Sequence, residues 1–425
     1  MKKIGVAFIL LAGCSPAFKI KKEMRGIEAS LHDHSSFYLY DIAAKMPLID
    51  FNGSSYFTPA SNTKIFTFYT SLRLLGDSAT SIKYSLRNDS LFFQGMGDPS
   101  FLYRNVYDNG KVYQFLKNYP GKLFFSATNF QTDRMGLGWA WDDYNYYYST
   151  ERSPFPIYGN LMESRKPRED KFTFCPARFA ADFHRSTETK EHEEIVRSID
   201  SNKLIYFNGK KRANSWTIPF HTSSDLTVDL LSDTLYRSVE EFDSALPQNV
   251  SVLKSIPMDS LYKVMMQDSD NFIAEQLLLQ CAATVSDTLK PEIAIRYSTK
   301  NFLSDLPDAP QWVDGSGLSR YNLFTPRSIV SLWAKIYKLV PQERLFKLLA
   351  VGGKSGTLKN GYKADQPYVF AKTGSLSNTH CLSGFILTKK NKVLIFSFMN
   401  NNFTASGNEV RKQMERILNE VRKGF

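Results

Sequence analysis

A strand-rich stretch interrupts a chain whose two ends combine helices with strands. From about Ile82 to Ser251, short apolar segments bounded by turn residues predict β-strands, with few convincing helices between them. At 425 residues the chain is also longer than one hydrophobic core usually serves. We therefore expect two domains: an α/β (α+β) domain made of residues 15–80 plus 250–425, and an inserted strand-rich domain of residues 81–249.

The flanking parts predict a definite series of elements. Apolar residues at helical spacing, with capping residues at the ends, predict helices at 20–30, 59–75, 259–267, 272–282, from 326 onwards and 406–423. Gly76 is expected to end the second of these in a left-handed cap. Short apolar runs predict strands at 37–42, 47–51, 368–376, 383–388 and 393–399.

Charge and composition exclude some classes of function. The formal net charge is +11, yet no nucleic-acid motif is present, so the basic balance indicates a solvated surface and no nucleic-acid partner. His192 is not followed by a second histidine four residues later, as a zinc peptidase helix requires. We expect no metal and no cofactor. Cys175, Cys281 and Cys381 are odd in number and widely spaced, so we expect buried thiols rather than disulfides.

The N-terminus has the features of an export signal. Lys2 and Lys3 precede an apolar stretch, residues 4–13, which is too short for the roughly 20 residues of a membrane span. The stretch ends at Cys14 in a pattern that resembles a bacterial lipobox. Residues 1–14 are therefore expected to be a lipoprotein signal, with the mature chain exported to the periplasmic side and tethered to a membrane by acyl chains on Cys14. An ordinary signal peptide with an incidental cysteine is the alternative.

Ser61 and Lys64 form the first candidate catalytic pair. They lie three residues apart near the start of a predicted helix, so both side chains occupy one face. An amine beside a hydroxyl can take its proton when burial or another cation favours the neutral amine. The pattern alone is weak, because Ser251 and Lys254 repeat it without a convincing setting for a nucleophile.

Two further short motifs follow in order. Ser269-Asp270-Asn271 separates two predicted helices, where a hydroxyl and an amide could point into a cleft or simply cap the second helix. Lys372-Thr373-Gly374 lies on a predicted strand, where lysine and threonine can bind a carboxylate and glycine permits close approach of another chain. Lys354-Ser355-Gly356 fits the same Lys-(Ser/Thr)-Gly pattern, but we interpret this segment as a loop.

The three motifs in this order resemble the signature of penicillin-binding proteins and serine β-lactamases. Other segments narrow the resemblance to class C penicillin-binding proteins, the D-alanyl-D-alanine carboxypeptidase/endopeptidase family also called the penicillin-binding protein 4 family. Those segments are residues 97–99, 138–143, 268–275 and 314–322. The resemblance implies a penicillin-binding, serine β-lactamase-like transpeptidase domain, an antiparallel sheet with helices, carrying an inserted domain.

The resemblance also implies a role for each motif residue. Ser61 would be the acylated nucleophile and Lys64 its general base, while Ser269 and Asn271 would assist proton transfer and hold the substrate. The backbone N–H groups of Ser61 and Ser375 would stabilise the oxyanion.

Recognition of the substrate is implied in the same way. Lys372 and Thr373, beside Gly374, would bind the terminal carboxylate. Asp143, with Asp142, would bind the amino group of a diaminopimelate side chain, although an aspartate among aromatic residues could equally cap a turn. The tyrosines of residues 144–148 could be core or could line a substrate groove.

We therefore expect an enzyme that hydrolyses D-Ala-D-Ala or the D,D-crosslinks of peptidoglycan stem peptides through an acyl-enzyme. β-Lactam antibiotics would be covalent inhibitors. A β-lactamase or esterase on the same core, and a catalytically inactive wall-binding lipoprotein, are the alternatives.

Overall fold

The computed structural model describes residues 15–168, 171–246 and 249–425. The predicted signal of residues 1–14, with Cys14, lies outside the described residues. No helix within the described ranges combines the length and the apolar character needed to cross a membrane.

Ten α-helices, five short 3-10 helices and seventeen strands are described in these ranges. The helices are α1 Pro16–Leu31, α2 Lys64–Leu74, α3 Lys111–Asn118, α4 Ser224–Leu235, α5 Met258–Gln267, α6 Asn271–Ser286, α7 Pro291–Asn301, α8 Pro326–Leu339, α9 Gln342–Leu348 and α10 Gly407–Gly424. The strands are β1 His34–Asp41, β2 Met46–Phe51, β3 Ser78–Arg87, β4 Ser90–Gly95, β5 Lys122–Ser126, β6 Leu161–Arg168, β7 Lys171–Cys175, β8 Phe183–His192, β9 Glu194–Arg197, β10 Leu204–Lys211, β11 Ser215–Pro219, β12 Val239–Glu241, β13 Ser251–Pro257, β14 Ala350–Val351, β15 Val369–Leu376, β16 Thr379–Leu387 and β17 Val393–Asn401.

The chain divides into two compact units. Of the described residues, the first unit contains 15–69, Tyr262–Ser269 and Tyr297–Phe425, and the second contains those of Thr70–Leu261 and Asp270–Arg296. The second unit therefore includes α6 and parts of α2, α5 and α7, which the sequence pattern placed with the flanking domain.

The first unit is built on an antiparallel six-stranded sheet in the order β14-β15-β16-β17-β1-β2. Ile20, Met24, Ile27 and Leu31 recur at helical spacing on α1, and this apolar face is buried with that of α10 in one core with the sheet. The sequence starts both helices where side chains can cap them: Ser15 accepts a hydrogen bond from a backbone N–H of α1, and Ser406 from one of α10.

The second unit contains a mixed five-stranded sheet in the order β12-β5-β4-β3-β13 and two three-stranded sheets. Its core contains apolar side chains from these sheets together with α3 and α4. Helix α6 is apolar around most of its circumference and is buried from Phe272 to Ala283. Its Glu275 forms a buried ion pair with Arg152, with Nη2 and Oε2 2.9 Å apart.

Most predicted elements of the flanking parts are confirmed to within a few residues, including the helix that begins at Pro326 after a Thr325 cap. Two expectations are wrong. Gly76 is not among the residues with positive φ, so it forms no left-handed cap. Cys175 is exposed, because it ends the edge strand β7, whereas Cys281 and Cys381 are buried as expected.

Two helices in the strand-rich stretch were missed. Helix α3 has only eight residues, which is too short for its apolar residues to show a convincing helical periodicity. Helix α4 did carry a signal: the Ser223 side chain caps it, and Leu226, Leu230 and Leu231 form its buried face.

Candidate active site

Ser61 lies in a tight turn that leads into α2. The turn is a 3-10 helix, Ala60–Thr63, and α2 begins at Lys64, so the predicted helix of residues 59–75 starts as this narrower turn. Lys64 Nζ lies 2.9 Å from Ser61 Oγ. The Lys64 side chain is fully buried, whereas Ser61 is only partly buried. The pair thus joins an accessible hydroxyl to an amine removed from water.

A loop from the 314–322 segment holds Lys64 from the other side. The Ser316 carbonyl oxygen accepts a hydrogen bond from Lys64 Nζ at 2.7 Å. Asp314 shapes this loop, because its carboxylate accepts hydrogen bonds from the backbone N–H groups of Gly317 and Ser319 and from the Asn322 amide, at 2.7–2.9 Å. One of the segments that carry the family resemblance therefore positions the amine.

Gly317 explains how this loop comes so close to the nucleophile turn. Its φ is +88°, and a Cβ built there would lie 1.9 Å from the Ala60 carbonyl oxygen. No side chain fits that space. Ala60 itself has φ +47°, a conformation that a non-glycine residue adopts at some cost. The close approach of loop and turn is thus built from two unusual backbone positions.

Ser269 and Lys372 form a second serine–lysine pair in the first unit. Lys372 Nζ donates to Ser269 Oγ at 2.7 Å and to the Thr373 carbonyl oxygen at 2.8 Å. Burial, and then the nearby Lys64 side chain, hold the pKa of Lys372 well below its usual 10.5, against the opposing effect of Asp268. A buried amine that gives up its proton readily is suited to proton transfer.

In Ser269-Asp270-Asn271, the residue that caps the following helix is Asp270. Asp270 is the N-cap of α6, accepting from Ile273 N at 2.9 Å. Ser269 precedes it with φ +65°, so its hydroxyl is turned to Lys372 rather than used as a cap. Asp270 carries the structural role, which leaves the side chains of Ser269 and Asn271 for other contacts.

Gly374 lets β15 pass directly beside the Ser61 turn. A Cβ on Gly374 would lie 2.6 Å from the Pro59 carbonyl oxygen and 3.0 Å from the Ser61 nitrogen. β14 pairs with β15 only at Phe370 and Ala371 in the described sheet. The edge of β15 beyond Ala371 is therefore not paired by β14, and an extended peptide could lie along it.

Asn62, which the sequence reasoning did not single out, ties this turn to the sheet. Its Nδ2 donates to the Lys372 carbonyl oxygen at 3.1 Å, and its Oδ1 accepts from Ser383 Oγ at 2.6 Å. Ser383 Oγ in turn accepts from Trp333 Nε1 at 3.0 Å. All four side chains are buried. The position of Asn62 inside the first motif was the only sequence signal for this role.

Thr373 and Ser375 point to the opposite face of β15 from Lys372 and Gly374, because side chains alternate along a strand. Thr373 Oγ1 donates to Thr357 Oγ1 at 2.8 Å, a second contact that the sequence reasoning missed. Ser375 Oγ lies 2.8 Å from Nδ1 of His380 on the neighbouring strand. Thr373 thus has a hydroxyl partner close to the exposed edge.

The competing motifs are placed elsewhere. Ser251 begins the edge strand β13, outside any helix, so it lacks the helical spacing to Lys254 that the nucleophile pattern requires. Lys354 lies in a turn after β14, and Ser355 and Gly356 lead into a short 3-10 helix, so the segment is not a strand, as the loop interpretation predicted.

Asn271, Asp142 and Asp143 belong to the second unit. Asn271 Nδ2 donates to the Tyr148 carbonyl oxygen at 2.9 Å, and the Tyr148 hydroxyl donates to Asp143 Oδ1 at 2.9 Å. Burial, and then this hydrogen bond, raise the pKa of Tyr148. Asp142 is exposed. Asp143 therefore has a defined partner within the 3-10 turn Trp141–Asn145 and its continuation.

The aromatic run next to Asp143 is largely a surface feature. Tyr146 and Tyr147 are 56% and 64% exposed, and the rings of Tyr146 and Tyr148 stack with centroids 5.5 Å apart. Of the two possibilities left open for these tyrosines, a place in the core is excluded for Tyr146 and Tyr147.

The arrangement in the first unit can perform nucleophilic catalysis. It offers an accessible hydroxyl next to a buried amine, a second hydroxyl–amine pair for proton transfer, and an uncovered strand edge with backbone donors.

Comparison with known proteins gives a consistent result. The model of the D-Ala-D-Ala carboxypeptidase 3 (S13) family matches residues 23–421. D-alanyl-D-alanine carboxypeptidase DacB of Haemophilus influenzae is 25% identical over 439 residues, which cover 91% of each chain. Penicillin-sensitive carboxypeptidase A of Dictyostelium discoideum is 24% identical, over 85% of this chain and 81% of that protein.

Solved structures share the fold. The crystal structure of penicillin binding protein 4 (dacB) from Haemophilus influenzae matches with a TM-score of 0.72 at 21% identity, covering 92% of this chain and 97% of that one. Bd3459, a predatory peptidoglycan endopeptidase from Bdellovibrio bacteriovorus, matches with a TM-score of 0.53 at 16% identity, covering 91% and 93%.

Proposed function

The chain belongs to the D-Ala-D-Ala carboxypeptidase 3 (S13) family, and on that premise we propose that it cleaves peptidoglycan stem peptides with Ser61 as the acylated nucleophile. It is a serine-type carboxypeptidase, a hydrolase of the penicillin-binding group. The observation that carries the assignment of the nucleophile is the 2.9 Å contact between Ser61 Oγ and the buried Lys64 amine.

Acylation begins with attack of Ser61 Oγ on the carbonyl carbon of the penultimate D-alanine. Lys64 in its neutral form takes the hydroxyl proton, and the backbone N–H groups of Ser61 and Ser375 stabilise the oxyanion. The C–N bond then breaks, and the leaving amine receives a proton by way of Ser269. Water attacks the resulting ester and regenerates Ser61, which completes hydrolysis.

Lys372 and Thr373 bind the carboxylate next to the scissile bond. The placement of both residues side by side on β15, directly beside the Ser61 turn, supports this role. Because burial lowers the pKa of Lys372, binding of a carboxylate there is coupled to uptake of a proton by the amine. Thr357 is a further part of this subsite, since its hydroxyl accepts the Thr373 hydrogen bond at 2.8 Å.

Asp143 binds the side-chain amine of the substrate, and Asn271 holds the substrate amide. The hydrogen bond from Tyr148 fixes the Asp143 carboxylate, and the bond from Asn271 to the Tyr148 carbonyl fixes Asn271, which supports both assignments. Asp142 is exposed and contributes negative charge next to Asp143.

Cys14 carries the membrane anchor. The short basic region, the apolar stretch of residues 4–13 and the small residues before Cys14 support export and lipidation, which would place the enzyme on the periplasmic side of a membrane.

Labelled penicillin followed by intact-mass measurement tests the proposal. We expect one stable adduct on the full chain, none on Ser61→Ala, and an unchanged adduct on the matched control Ser251→Ala. An adduct that persists in Ser61→Ala would refute the nucleophile. Rapid turnover of penicillin would favour a β-lactamase, and absence of any adduct an inactive protein.

The two possible substrates are separated by product analysis. We expect release of D-alanine from a pentapeptide and cleavage of a crosslinked muropeptide dimer, because both reactions place a D-alanine carbonyl at Ser61. Turnover of neither substrate would exclude D,D-peptidase activity.

A further inference from the structure

A cavity of about 560 Å³ lies against the face of β15 that carries Thr373 and Ser375. This is the face opposite Lys372 and Gly374, which point to Ser269 and to the Ser61 turn. The cavity is formed entirely within the first unit, between the β15–β16 hairpin, residues 357–362 and the N-terminal part of α10. We call it the α10 cavity.

The helix side of the α10 cavity carries positive charge. Arg411 and Lys412 both line it, and both side chains are exposed. The Arg411 guanidinium hydrogen-bonds Asn408 Oδ1, a neutral oxygen, so this contact leaves its charge uncompensated. The wall therefore offers two cations to an incoming ligand.

The other titratable groups of the cavity do not cancel this charge completely. Glu415 accepts a hydrogen bond from Tyr362 N at 2.8 Å, so one of its oxygens already holds the 357–362 segment in place. Burial, and then Arg411, lower the pKa of His380 to about 4, so His380 is neutral near pH 7. Two cations and one carboxylate leave the lining with net positive charge.

The α10 cavity is too large for the leaving group of a simple carboxypeptidase reaction. A volume of about 560 Å³ falls in the range of sites that bury whole small-molecule ligands, roughly 300–1,000 Å³. A leaving D-alanine has only one carboxylate, the one that Lys372 and Thr373 bind, and beyond it only the released amine, the Cα and a methyl group. In a crosslinked substrate, the leaving amine instead belongs to a second peptide strand that bears further carboxylates.

We propose that the α10 cavity binds the leaving peptide strand of a crosslinked stem peptide, with Arg411 and Lys412 holding carboxylates beyond the one next to the scissile bond. This inference rests on the proposed function, because it takes Thr373 as the residue that contacts the leaving side of the cleaved bond. It assigns the α10 cavity to an anionic peptide and makes the enzyme selective for crosslinks over free termini.

The test compares three reactions of Arg411→Gln and Lys412→Gln, prepared in the full chain. These are cleavage of a crosslinked muropeptide dimer, release of D-alanine from the matching pentapeptide, and acylation by labelled penicillin. Arg25→Gln, an exposed arginine on α1 in the same unit, is the charge-matched control. Thermal denaturation of each variant verifies that it is folded.

We expect the ratio of kcat/KM for the dimer to kcat/KM for the pentapeptide to fall about tenfold in Arg411→Gln, the loss typical of one charge-assisted hydrogen bond. Lys412→Gln should lower the same ratio, and Arg25→Gln should not. An unchanged ratio in both cavity variants would overturn the proposal, as would an equal loss on dimer, pentapeptide and penicillin. Failure of the unmodified enzyme to react with penicillin would instead refute the proposed function.

Discussion

Replacing Asn62 by alanine should weaken the fold and the active site together. The Asn62 amide is fully buried and joins two groups on different strands, donating to the Lys372 carbonyl at 3.1 Å and accepting from the Ser383 hydroxyl at 2.6 Å. Alanine removes both contacts at once. It also leaves a small cavity beside the nucleophile, because the turn that carries Ser61 is in contact with β15 at Gly374.

The cost can be estimated from these contacts. A buried hydrogen bond contributes about 1 kcal/mol, and a partner left unsatisfied costs about 1–3 kcal/mol. We therefore expect Asn62→Ala to lower the free energy of unfolding by about 2–4 kcal/mol, and Ser383→Ala by about 1–3 kcal/mol. Because both residues belong to one network with Trp333, the double variant should lose about 1 kcal/mol less than the sum of the two.

Equilibrium urea denaturation measures the stabilities, and labelled penicillin measures the acylation rate of the folded variants. Acylation should be slower in Asn62→Ala, since β15 is no longer held to the Ser61 turn by this amide. Ser377→Ala, at an exposed turn position, is the control. The reasoning is refuted if the two losses are additive, or if Asn62→Ala unfolds and acylates like the unmodified protein.

Three further predictions concern charge and anchoring. Lys372→Met should abolish acylation yet raise stability near neutral pH, because the depressed pKa of Lys372 means that unfolding takes up a proton below its usual 10.5. Relative to Lys372→Met, the unmodified protein should therefore gain stability as the pH rises through the lowered pKa of Lys372 towards 10.5, and a stability difference that does not change with pH in urea titrations would contradict this origin. Asp143→Asn should lower kcat/KM about tenfold for stem peptides with a free side-chain amine. An equal loss on the same peptides with that amine acetylated would exclude amine recognition. Cys14→Ala should move the protein from the membrane fraction to the soluble fraction of cells and remove the acyl mass from the N-terminal peptide; retention of either would argue against lipidation.

Elements set by local chemistry could be predicted from the sequence. Thr325 before Pro326 and Ser406 before the final amphipathic run both cap helices where the pattern indicated. Lys64 contacts the Ser61 hydroxyl, and Lys372 contacts the Ser269 hydroxyl. The sequence motifs had already singled out these four residues, because a serine and a lysine that act together can be recognised by their chemistry before their distance is known.

What could not be predicted depends on residues far apart in the chain. Asn62 meets Ser383 only after the Ser61 turn packs on the sheet, and Arg411 meets the face of Thr373 only after α10 covers it. The division into units shows the same limit. Helix α6 is apolar on nearly every side, so its sequence does not indicate which neighbours bury it.

The start of α1 limits how far an anchored enzyme could reach. Ser15 is already the N-cap of α1, and α1 is packed in the core of the six-stranded sheet through Ile20 and Met24. A lipid on Cys14 would therefore be separated from the folded unit by no flexible spacer, whereas each extended linker residue would add about 3.5 Å. The dimensions of the protein itself would then determine which layer of peptidoglycan it can cut, confining its work to the material nearest the membrane.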